Sequence, residues 1–300
     1  MRNQRALSPA RQSRVPVRSA PHPAHRGQAR QYVLVGRTDV ASHYGSANLG
    51  RELVSALERA FGDSVHAAAL RGVDQFHLGG YLATEALLDA LDLGPEAEVL
   101  DVGCGIGGVA REIRSRFSCS VTAIDLTPAF VEAARVLSDR VGVGAGVNFE
   151  IGDALDLPHA DERFDAVVVV HVGMNIQDKA SLVAELHRVN KPGATVVIYD
   201  IVRLTAAPLK YPVPWATSQS MDFVERQDAY EEAMHRSDLV LQSSVDRSEL
   251  VLDAIDRMAA NPAPVNLANL MGTAWPTMFG NLISALCEGT LAPVEMTVVT

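Results

Sequence analysis

A glycine-rich turn is preceded by one aspartate and followed, further along the chain, by two more, and their spacing suits the recognition of an adenosine. The turn at 103–108 reads Gly-Cys-Gly-Ile-Gly-Gly and follows an apolar segment, so backbone N–H groups there can cradle a ligand. Asp125 lies 22 residues after the first glycine, where a carboxylate can accept hydrogen bonds from both ribose hydroxyls. Asp153 can accept from an adenine amino group. With Asp101 just before the turn, these residues predict an adenosine site.

The charge beside this turn separates two adenosine-containing cofactors. NAD is one candidate, because Gly103, Gly105 and Gly108 formally match a Gly-x-Gly-x-x-Gly pattern with an acidic residue about 20 positions downstream. A pyrophosphate is negatively charged, however, and Asp101 would repel it. The acidic surround therefore favours a cationic adenosine, namely S-adenosylmethionine.

Strands and helices must alternate to bring these residues to one edge of a sheet, and from residue 98 onward they do. We predict an α/β fold with a doubly wound, mostly parallel, seven-stranded Rossmann-like sheet, an N-terminal helical cap and an insertion after the fifth strand. The last strand is expected at an exposed edge. Strands are predicted at 98–102, 120–125, 147–151, 164–171, 194–200, 239–246 and 292–299, and helices at 107–117, 128–139, 179–188, 247–259 and 267–289.

Two helical segments precede the first strand and predict the cap. The segment 47–61 repeats apolar residues every four positions, and 74–92 continues into a second helix that Gly94-Pro95 ends. The positions expected to be buried are Leu49, Leu53, Leu57 and Phe61 in the first helix and Leu82, Ala86 and Leu87 in the second.

Charge and composition divide the chain into five predicted segments. The first 30 residues hold seven arginines and no Asp, Glu or Lys, and their prolines disfavour an amphipathic transit peptide. All 36 acidic residues lie in the rest of the chain, which argues against nucleic acid as the main partner. The segments are a disordered basic tail (1–30), a helical cap (31–97), a cofactor-binding core (98–202), an insertion over the active site (203–238) and the C-terminal part of the sheet (239–300).

Cysteine usage and hydropathy bear on the compartment. Cys104, Cys119 and Cys287 show neither metal-ligand nor disulfide spacing, which fits a reducing cytoplasm. Cys104 lies inside the turn, where a small buried side chain is expected rather than a nucleophile. No run of about 18 uncharged apolar residues occurs, so no membrane span is expected. No histidine and carboxylate pair stands out as a metal site.

The motifs together resemble class I S-adenosylmethionine-dependent methyltransferases. The resemblance rests on Val-Leu-Asp-Val-Gly-Cys-Gly-Ile-Gly-Gly at 99–108, on the terminal Asp125, on Gly-Asp-Ala at 152–154 and on Arg-Val-Asn-Lys-Pro-Gly at 188–193. Asn190 and a following alanine replace the more usual Leu and Gly of the last motif, at positions that do not touch the cofactor in the family. The resemblance covers roughly residues 70–300.

Three further motifs are similar to bacterial sarcosine/dimethylglycine-type N-methyltransferases: Asp-Gln-Phe-His-x-Gly-Gly at 74–80, His-Val-Gly-Met-Asn-Ile at 171–176 and Tyr-Pro-Val-Pro-Trp at 211–215. This resemblance implies that Gln75 and His77 close over the cofactor and that 171–175 face the transferring methyl group.

The candidate site follows from these patterns. His171 and His77 are candidate bases, although a strand-end histidine can equally be a structural or cofactor contact. Tyr211 and Trp215 can bind an ammonium by cation–π contact or simply anchor a proline-rich loop. The expected cofactor contacts are Gln75, Asp101, Gly103, Cys104, Gly105, Asp125, Leu126, Asp153, Ala154 and His171, and the expected substrate contacts are Met174, Asn175, Tyr211 and Trp215.

The sequence therefore predicts an S-adenosylmethionine-dependent methyltransferase that acts on a small molecule by in-line displacement. An amine or amino-acid derivative is the expected acceptor, with O- or C-methylation of a secondary metabolite as the alternative. A non-catalytic module that only binds the cofactor is a second alternative. No sequence pattern identifies the acceptor or the oligomeric state.

Overall fold

The computed structural model describes residues 48–62, 65–266 and 272–300. The predicted basic tail and residues 31–47 of the predicted cap lie outside these ranges. The strands are β1 Glu98–Val102, β2 Ser120–Asp125, β3 Val147–Ile151, β4 Phe164–Val170, β5 Asn190–Arg203, β6 Val240–Asp246 and β7 Leu291–Val299. The helices of the described ranges are α1 Leu49–Phe61, α2 Ala67–Leu70, α3 Gly80–Leu88, α4 Gly108–Phe117, α5 Pro128–Arg140, α6 Lys179–Val189, α7 Gln227–Arg236, α8 Ser248–Ala260 and α9 Trp275–Cys287.

The seven strands form one sheet in the order β3-β2-β1-β4-β5-β7-β6. The first five strands of the chain run parallel, and β7 runs antiparallel to both neighbours. The predicted doubly wound, mostly parallel sheet is confirmed. β5 begins before the predicted start because Asn190 already pairs with Phe164 of β4, ahead of a bulge. The strand order reverses between β1 and β4, and such a reversal opens a crevice at the carboxyl ends of the strands.

The last strand is not at an edge, so that prediction is wrong. β7 pairs with β5 on one side and with β6 on the other, which leaves β3 and β6 as the edges of the sheet. Residues 291–296 are all buried, as expected of a strand covered on both faces. Sequence order hid this arrangement because the final strand inserts between two earlier ones.

The first two helices share an apolar cluster with α5, a helix that packs on the sheet. Leu53 and Leu57 of α1 are buried against Phe130 and Leu137 of α5. The two helices approach closely at Gly50, where a Cβ atom would lie 2.8 Å from the Cα of Ala133. The small residue at this position therefore sets the helix–helix distance.

Helix α3 is shorter than predicted and exposes a different face. Leu87 is buried against the sheet as expected, whereas Leu82 and Ala86 are only half-buried, so the predicted burial of these two residues is wrong. The helix begins at Gly80, and Leu82 lines a cavity.

The segment after β5 divides into two parts. Helix α7 packs beside α6 on the sheet, with Tyr230 and Met234 in the core of that face. The preceding loop contributes Val213 and Trp215 to a separate apolar cluster with α8 and α9. No helix in the described part of the chain is long and apolar enough to cross a bilayer.

Candidate functional site

A cavity of about 1440 Å³ opens at the carboxyl ends of β1 to β5. One half is lined by the residues that follow β1, β2 and β3. The other half is lined by residues after β4 and β5 and by side chains of α8 and α9. The reversal of strand order therefore lies at the middle of the cavity, the position at which open α/β sheets bind ligands.

The glycine turn after β1 is shaped by neighbouring protein segments as well as by the cavity. The N–H groups of Gly103 and Cys104 both donate to the carbonyl of Ile124 at 2.8 Å, which ties the turn to β2. Gly103 has φ of 75°, and a Cβ atom there would overlap the side chain of Val172. At Gly108 a Cβ atom would overlap the backbone of Asp74. These glycines thus permit protein segments to close around the turn.

Asp125 holds the turn and faces the cavity. Its Oδ2 atom accepts from the N–H of Gly105 at 2.9 Å, and Oδ1 accepts from the N–H of Thr127 at 2.8 Å. Burial raises the pKa of this carboxyl to about 6, and the two backbone donors oppose the rise. Each oxygen retains a lone pair that can accept from a ligand hydroxyl.

Asp101 is the most buried carboxylate of the cavity, with 1% of its surface exposed. Its Oδ2 atom has no hydrogen-bond partner among the described residues. Burial, followed by the charge of Asp125, raises its pKa to about 7. Asp101 is thus a buried hydrogen-bond acceptor beside a second carboxylate, and a cationic ligand would stabilise the charged form of both groups.

Asp153 completes the acidic half. Its Oδ1 atom accepts from the N–H of Leu155 at 2.9 Å, which orients the loop after β3. Leu126 and Ala154 line the same wall, as predicted cofactor contacts, and Phe130 joins them. The wall combines apolar side chains with one carboxylate, which suits the flat face and amino edge of an adenine.

The segment 74–80 lies across the glycine turn and is held by a buried polar network. Arg111 of α4 pairs with Asp74 at 2.9 Å, and both side chains are nearly inaccessible. The amide of Gln75 donates to Asp74 at 3.1 Å and accepts from Thr84 at 2.7 Å. Gln75 therefore lines the cavity with its amide oxygen and nitrogen each already engaged by a protein group.

His77 and His171 both line the cavity, with ring centroids 5.9 Å apart. His77 contacts the carbonyl of Gly80 and the hydroxyl of Thr84, both at 3.0 Å, and burial lowers its pKa to about 4. His171 has φ of 54° and packs on Tyr199, and its Nε2 atom has no partner among the described residues. Burial, with a contribution from His77, lowers the pKa of His171 well below its usual range.

The loop after His171 rests on a buried lysine that the sequence did not identify. Lys179 donates from Nζ to the carbonyls of Gly173, Ile176 and Phe223, at 2.9, 2.5 and 2.8 Å. Asp200 lies behind this loop and accepts from the hydroxyl of Tyr230 at 2.7 Å. The buried groups fix the positions of Met174 and Asn175, which line the cavity. A lysine at the start of a helix gave no signal of this role.

Tyr211 and Trp215 differ in their relation to the cavity. Trp215 lines it, whereas Tyr211 does not. Both donate to the buried carboxylate of Asp222, Tyr211 at 2.6 Å and Trp215 at 3.0 Å, and Arg203 pairs with the same carboxylate. Their bonds to Asp222 anchor the proline-rich loop. The predicted acceptor contact of Trp215 stays a prediction, whereas Tyr211 is not in the lining.

Several lining residues were missed, and all but Phe76, which lies inside the motif at 74–80, are on elements that the motifs do not cover. They come from the segment before α3, the loop before α7 and the two C-terminal helices, where a hydrophobic residue is indistinguishable in sequence from one of the core. The missed residues are Phe76, Phe223, Ile255, Met258, Trp275, Phe279 and Leu282.

Cys104 is buried at the cavity floor, and burial raises its thiol pKa well above the usual range. It is therefore a neutral thiol and a poor nucleophile. No group of three or more His, Cys, Asp or Glu side chains in the described ranges is arranged to hold a metal ion.

Comparison with known proteins matches residues 100–198 to a methyltransferase domain. Ajmaline N-methyltransferase of Rauvolfia serpentina is 36% identical over 110 residues, which are 37% of this chain and 38% of that protein. A probable chloroplastic tocopherol O-methyltransferase of Oryza sativa subsp. japonica is 38% identical over 117 residues, 39% of this chain and 32% of that protein. The chain thus spans well under two thirds of the length of these curated relatives.

Among solved structures, the fold is similar to that of geranyl diphosphate C-methyltransferase from Streptomyces coelicolor A3(2), in complex with Mg²⁺, geranyl-S-thiolodiphosphate and S-adenosyl-L-homocysteine. The TM-score is 0.65 at 18% identity, and the match covers 93% of this chain and 99% of that chain. At this identity the likeness concerns the fold.

Proposed function

We propose that this chain transfers a methyl group from S-adenosylmethionine to a small-molecule acceptor, and the match of residues 100–198 to a methyltransferase domain supports the proposal. The observation that carries the proposal is that one cavity is lined by Asp101, Asp125 and Asp153 and also by His77 and His171. The carboxylates suit a cationic nucleoside, and the histidines lie where the acceptor would enter.

The residues of the acidic half fit the cofactor. Asp125 has lone pairs for ribose hydroxyls, and Asp153 lies beside an apolar wall that can receive an adenine. Asp101 supplies a buried acceptor, without a partner among the described residues, for the positively charged part of the molecule. Bound S-adenosylmethionine supplies an electrophilic methyl group on a positively charged sulfur.

The chain's own contribution is to position the acceptor, exclude water and receive a proton. Holding two reactants in line contributes as much as about 7–11 kcal/mol to lowering a barrier. His171 is neutral because burial lowers its pKa, and its Nε2 atom can accept a hydrogen bond from an acceptor hydroxyl or amine. A weak base suffices for a hydroxyl acceptor, because an oxygen becomes strongly acidic once it is methylated. An amine that enters unprotonated leaves as an ammonium ion and needs no base in the transfer step.

The element that receives the methyl group can be nitrogen, oxygen or carbon. The relatives include an N-methyltransferase and an O-methyltransferase, and the solved neighbour is a C-methyltransferase. We favour a nitrogen or oxygen nucleophile, because His171 and Asn175 offer hydrogen-bonding atoms to such a group. C-methylation is the alternative. The described cysteines are all free thiols, which supports function in a reducing compartment such as the cytoplasm.

The test measures cofactor binding and methyl transfer separately. Calorimetry of the full chain should detect the binding of S-adenosylhomocysteine. Asp125→Asn should weaken this binding by about 1–3 kcal/mol, because the ribose hydroxyls lose a charged hydrogen-bond acceptor. Asp92→Asn, at an exposed carboxylate outside the cavity, is the matched control and should bind normally.

Methyl transfer is then assayed with labelled S-adenosylmethionine against hydrophobic amines, alcohols and phenols. Labelled product that His171→Ala reduces by about 10²–10⁴-fold supports the proposal. Normal cofactor binding without transfer to any acceptor would favour the non-catalytic binding module. An undiminished affinity in Asp125→Asn would remove the proposed ribose contact.

A further inference from the structure

The half of the cavity beyond β4 and β5 has an apolar wall that the proposed function leaves unexplained. Its side chains come from the loop after β4, from β5 itself, from the proline-rich loop and from α8 and α9. Representative members are Met174, Ile201, Trp215, Ile255, Phe279 and Leu282. A pocket of this kind binds ligands mainly by the apolar area that they bury.

Two partly exposed groups lie on the helices of this wall. Trp275 and Phe279 stack in the first turns of α9, with ring centroids 5.1 Å apart and ring planes inclined by 22°. Met258 of α8 lines the same cavity and is 48% exposed. Large apolar side chains left open to solvent in a concave site commonly mark a ligand-binding surface. A flat or hydrocarbon-rich molecule would cover all three.

Two neutral polar atoms beside this wall are available to a ligand. His171 Nε2 and Asn175 Oδ1 are buried, line the cavity and have no hydrogen-bond partner among the described residues. A neutral hydroxyl or amine would satisfy such atoms. A carboxylate would bring a second acceptor to Asn175 Oδ1 and leave that atom unsatisfied.

The charged side chains of the lining do not provide a site for an anionic acceptor. Among the described residues, Arg71 and Arg257 are the cations that line the cavity. Arg71 is bonded to Glu112 at 2.9 Å, and Arg257 is paired with Asp253 at 2.7 Å on the exposed side of α8. A carboxylate or phosphate buried against the apolar wall would lose its hydration without gaining a free cation.

We propose, on the basis of the proposed methyltransferase function, that the acceptor is a neutral, largely apolar molecule. Its hydrocarbon part packs against Trp275, Phe279 and Met258, and a hydroxyl or amine group is presented to His171 and Asn175. An amino acid, whose carboxylate has no free cation in the described lining, is a poor acceptor. This narrows the amine or amino-acid derivative expected from the sequence to an uncharged amine or alcohol.

The experiment uses two probes with one carbon skeleton and different charge, cinnamyl alcohol and cinnamate. Calorimetry is performed on the full chain saturated with S-adenosylhomocysteine, after binding of that molecule alone has been measured. We expect the alcohol to bind at least about tenfold more tightly than the acid. Phe279→Ala and Met258→Ala should each weaken alcohol binding by about fivefold through lost apolar contact, with S-adenosylhomocysteine affinity unchanged.

Two control variants separate this binding mode from others. Leu252→Ala removes an exposed apolar side chain of α8 that lies outside the cavity lining, and it should bind the alcohol as the wild type does. Arg257→Gln should also leave alcohol binding unchanged. If cinnamate binds as tightly as the alcohol, and Arg257→Gln weakens the binding of cinnamate, the acceptor is anionic and the inference is wrong.

Failure of the two proposals can be distinguished. Normal binding of S-adenosylhomocysteine with no measurable binding of either probe overturns the apolar-acceptor inference and leaves the methyltransferase proposal standing. Absence of S-adenosylhomocysteine binding overturns the proposed function itself and with it the inference.

Discussion

At the scale of single residues, the cavity keeps carboxylates where folding alone would not favour them. Asp101 is buried with one oxygen lacking a partner among the described residues, and its pKa rises to about 7 through burial and the neighbouring Asp125. A carboxyl with a raised pKa favours folding when protonated. Its contribution to stability is complete below the ordinary pKa of 3.8 and is lost as the pH rises through about 7. A bound cation would reverse this preference.

This linkage predicts pH-dependent cofactor binding. The affinity for S-adenosylmethionine should fall by about tenfold between about pH 8 and about pH 6, because protonation of Asp101 removes the charge that the cofactor's cation favours. Asp125, with a pKa of about 6, should add to the fall at the lower end, whereas His77, with a pKa of about 4, stays neutral throughout.

Calorimetry across this pH range measures the effect, and Asp101→Asn is the decisive variant. It should bind the cofactor less tightly near pH 8 and show a shallower dependence on pH. An equally steep dependence in Asp101→Asn would assign the titration to another group.

At the scale of elements, the site depends on close contacts between loops, made by residues other than the candidate bases. Lys179 at the start of α6 joins the loop 173–176 to Phe223 through three carbonyls. The glycine turn after β1 is covered by Val172 at one residue and by the segment around Asp74 at another. The bonds of Lys179 and the close contacts at the glycine turn bring residues that follow different strands into one cavity.

Removing the lysine should loosen this arrangement. Lys179→Met leaves buried carbonyls without a donor, so the free energy of unfolding should fall by about 2–4 kcal/mol in urea denaturation. Lys210→Met is the matched control, because the side chain of Lys210 is 71% exposed and its ion pair with Glu288 is long, at 3.9 Å. Equal stability of the two variants would show that the buried lysine does not hold the loop.

The glycine turn allows a paired comparison of backbone strain and steric overlap. Gly103 and Gly193 have φ of 75° and 79°, but a Cβ atom overlaps Val172 at the first position and meets open space at the second. Gly193→Ala should cost about 1–2 kcal/mol, the cost of a left-handed conformation in a residue with a Cβ. Gly103→Ala should cost more and weaken S-adenosylhomocysteine binding, measured by thermal unfolding and calorimetry. Equal costs would mean that Val172 moves aside freely.

At the scale of the whole molecule, the sheet joins an acidic half and an apolar half at the point where strand order reverses. α1 does not line the cavity but packs on α5, which follows β2. The basic tail at 1–30 is outside the described residues, and its role remains a prediction from composition.

Deletion of residues 1–30 should leave S-adenosylhomocysteine affinity and methyl transfer unchanged. Deletion through residue 61 removes α1, whose Leu53 and Leu57 are buried, and should lower the melting temperature. Comparing the two truncations by thermal unfolding and activity tests the prediction. A large loss of turnover in the shorter deletion would assign the tail a function.

The sequence by itself determined the parallel sheet, and it predicted an adenosine-binding end and a cationic ligand. These follow from local features: the apolar runs of strands, the glycines of one turn and the aspartates at strand ends, each of which acts within a few residues of itself. Asp101, Asp125 and Asp153 are therefore both predicted from sequence and found in the cavity.

Only the tertiary structure decided the rest, because it depends on contacts between residues far apart in sequence. Lys179 supports a loop through a carbonyl of Phe223, β7 inserts between β5 and β6, and the wall of Trp275 and Phe279 meets residues of β5 and the proline-rich loop. An apolar residue on a helix has the same pattern whether it faces the core or a cavity. The apolar wall of the cavity could therefore be identified only from the folded structure.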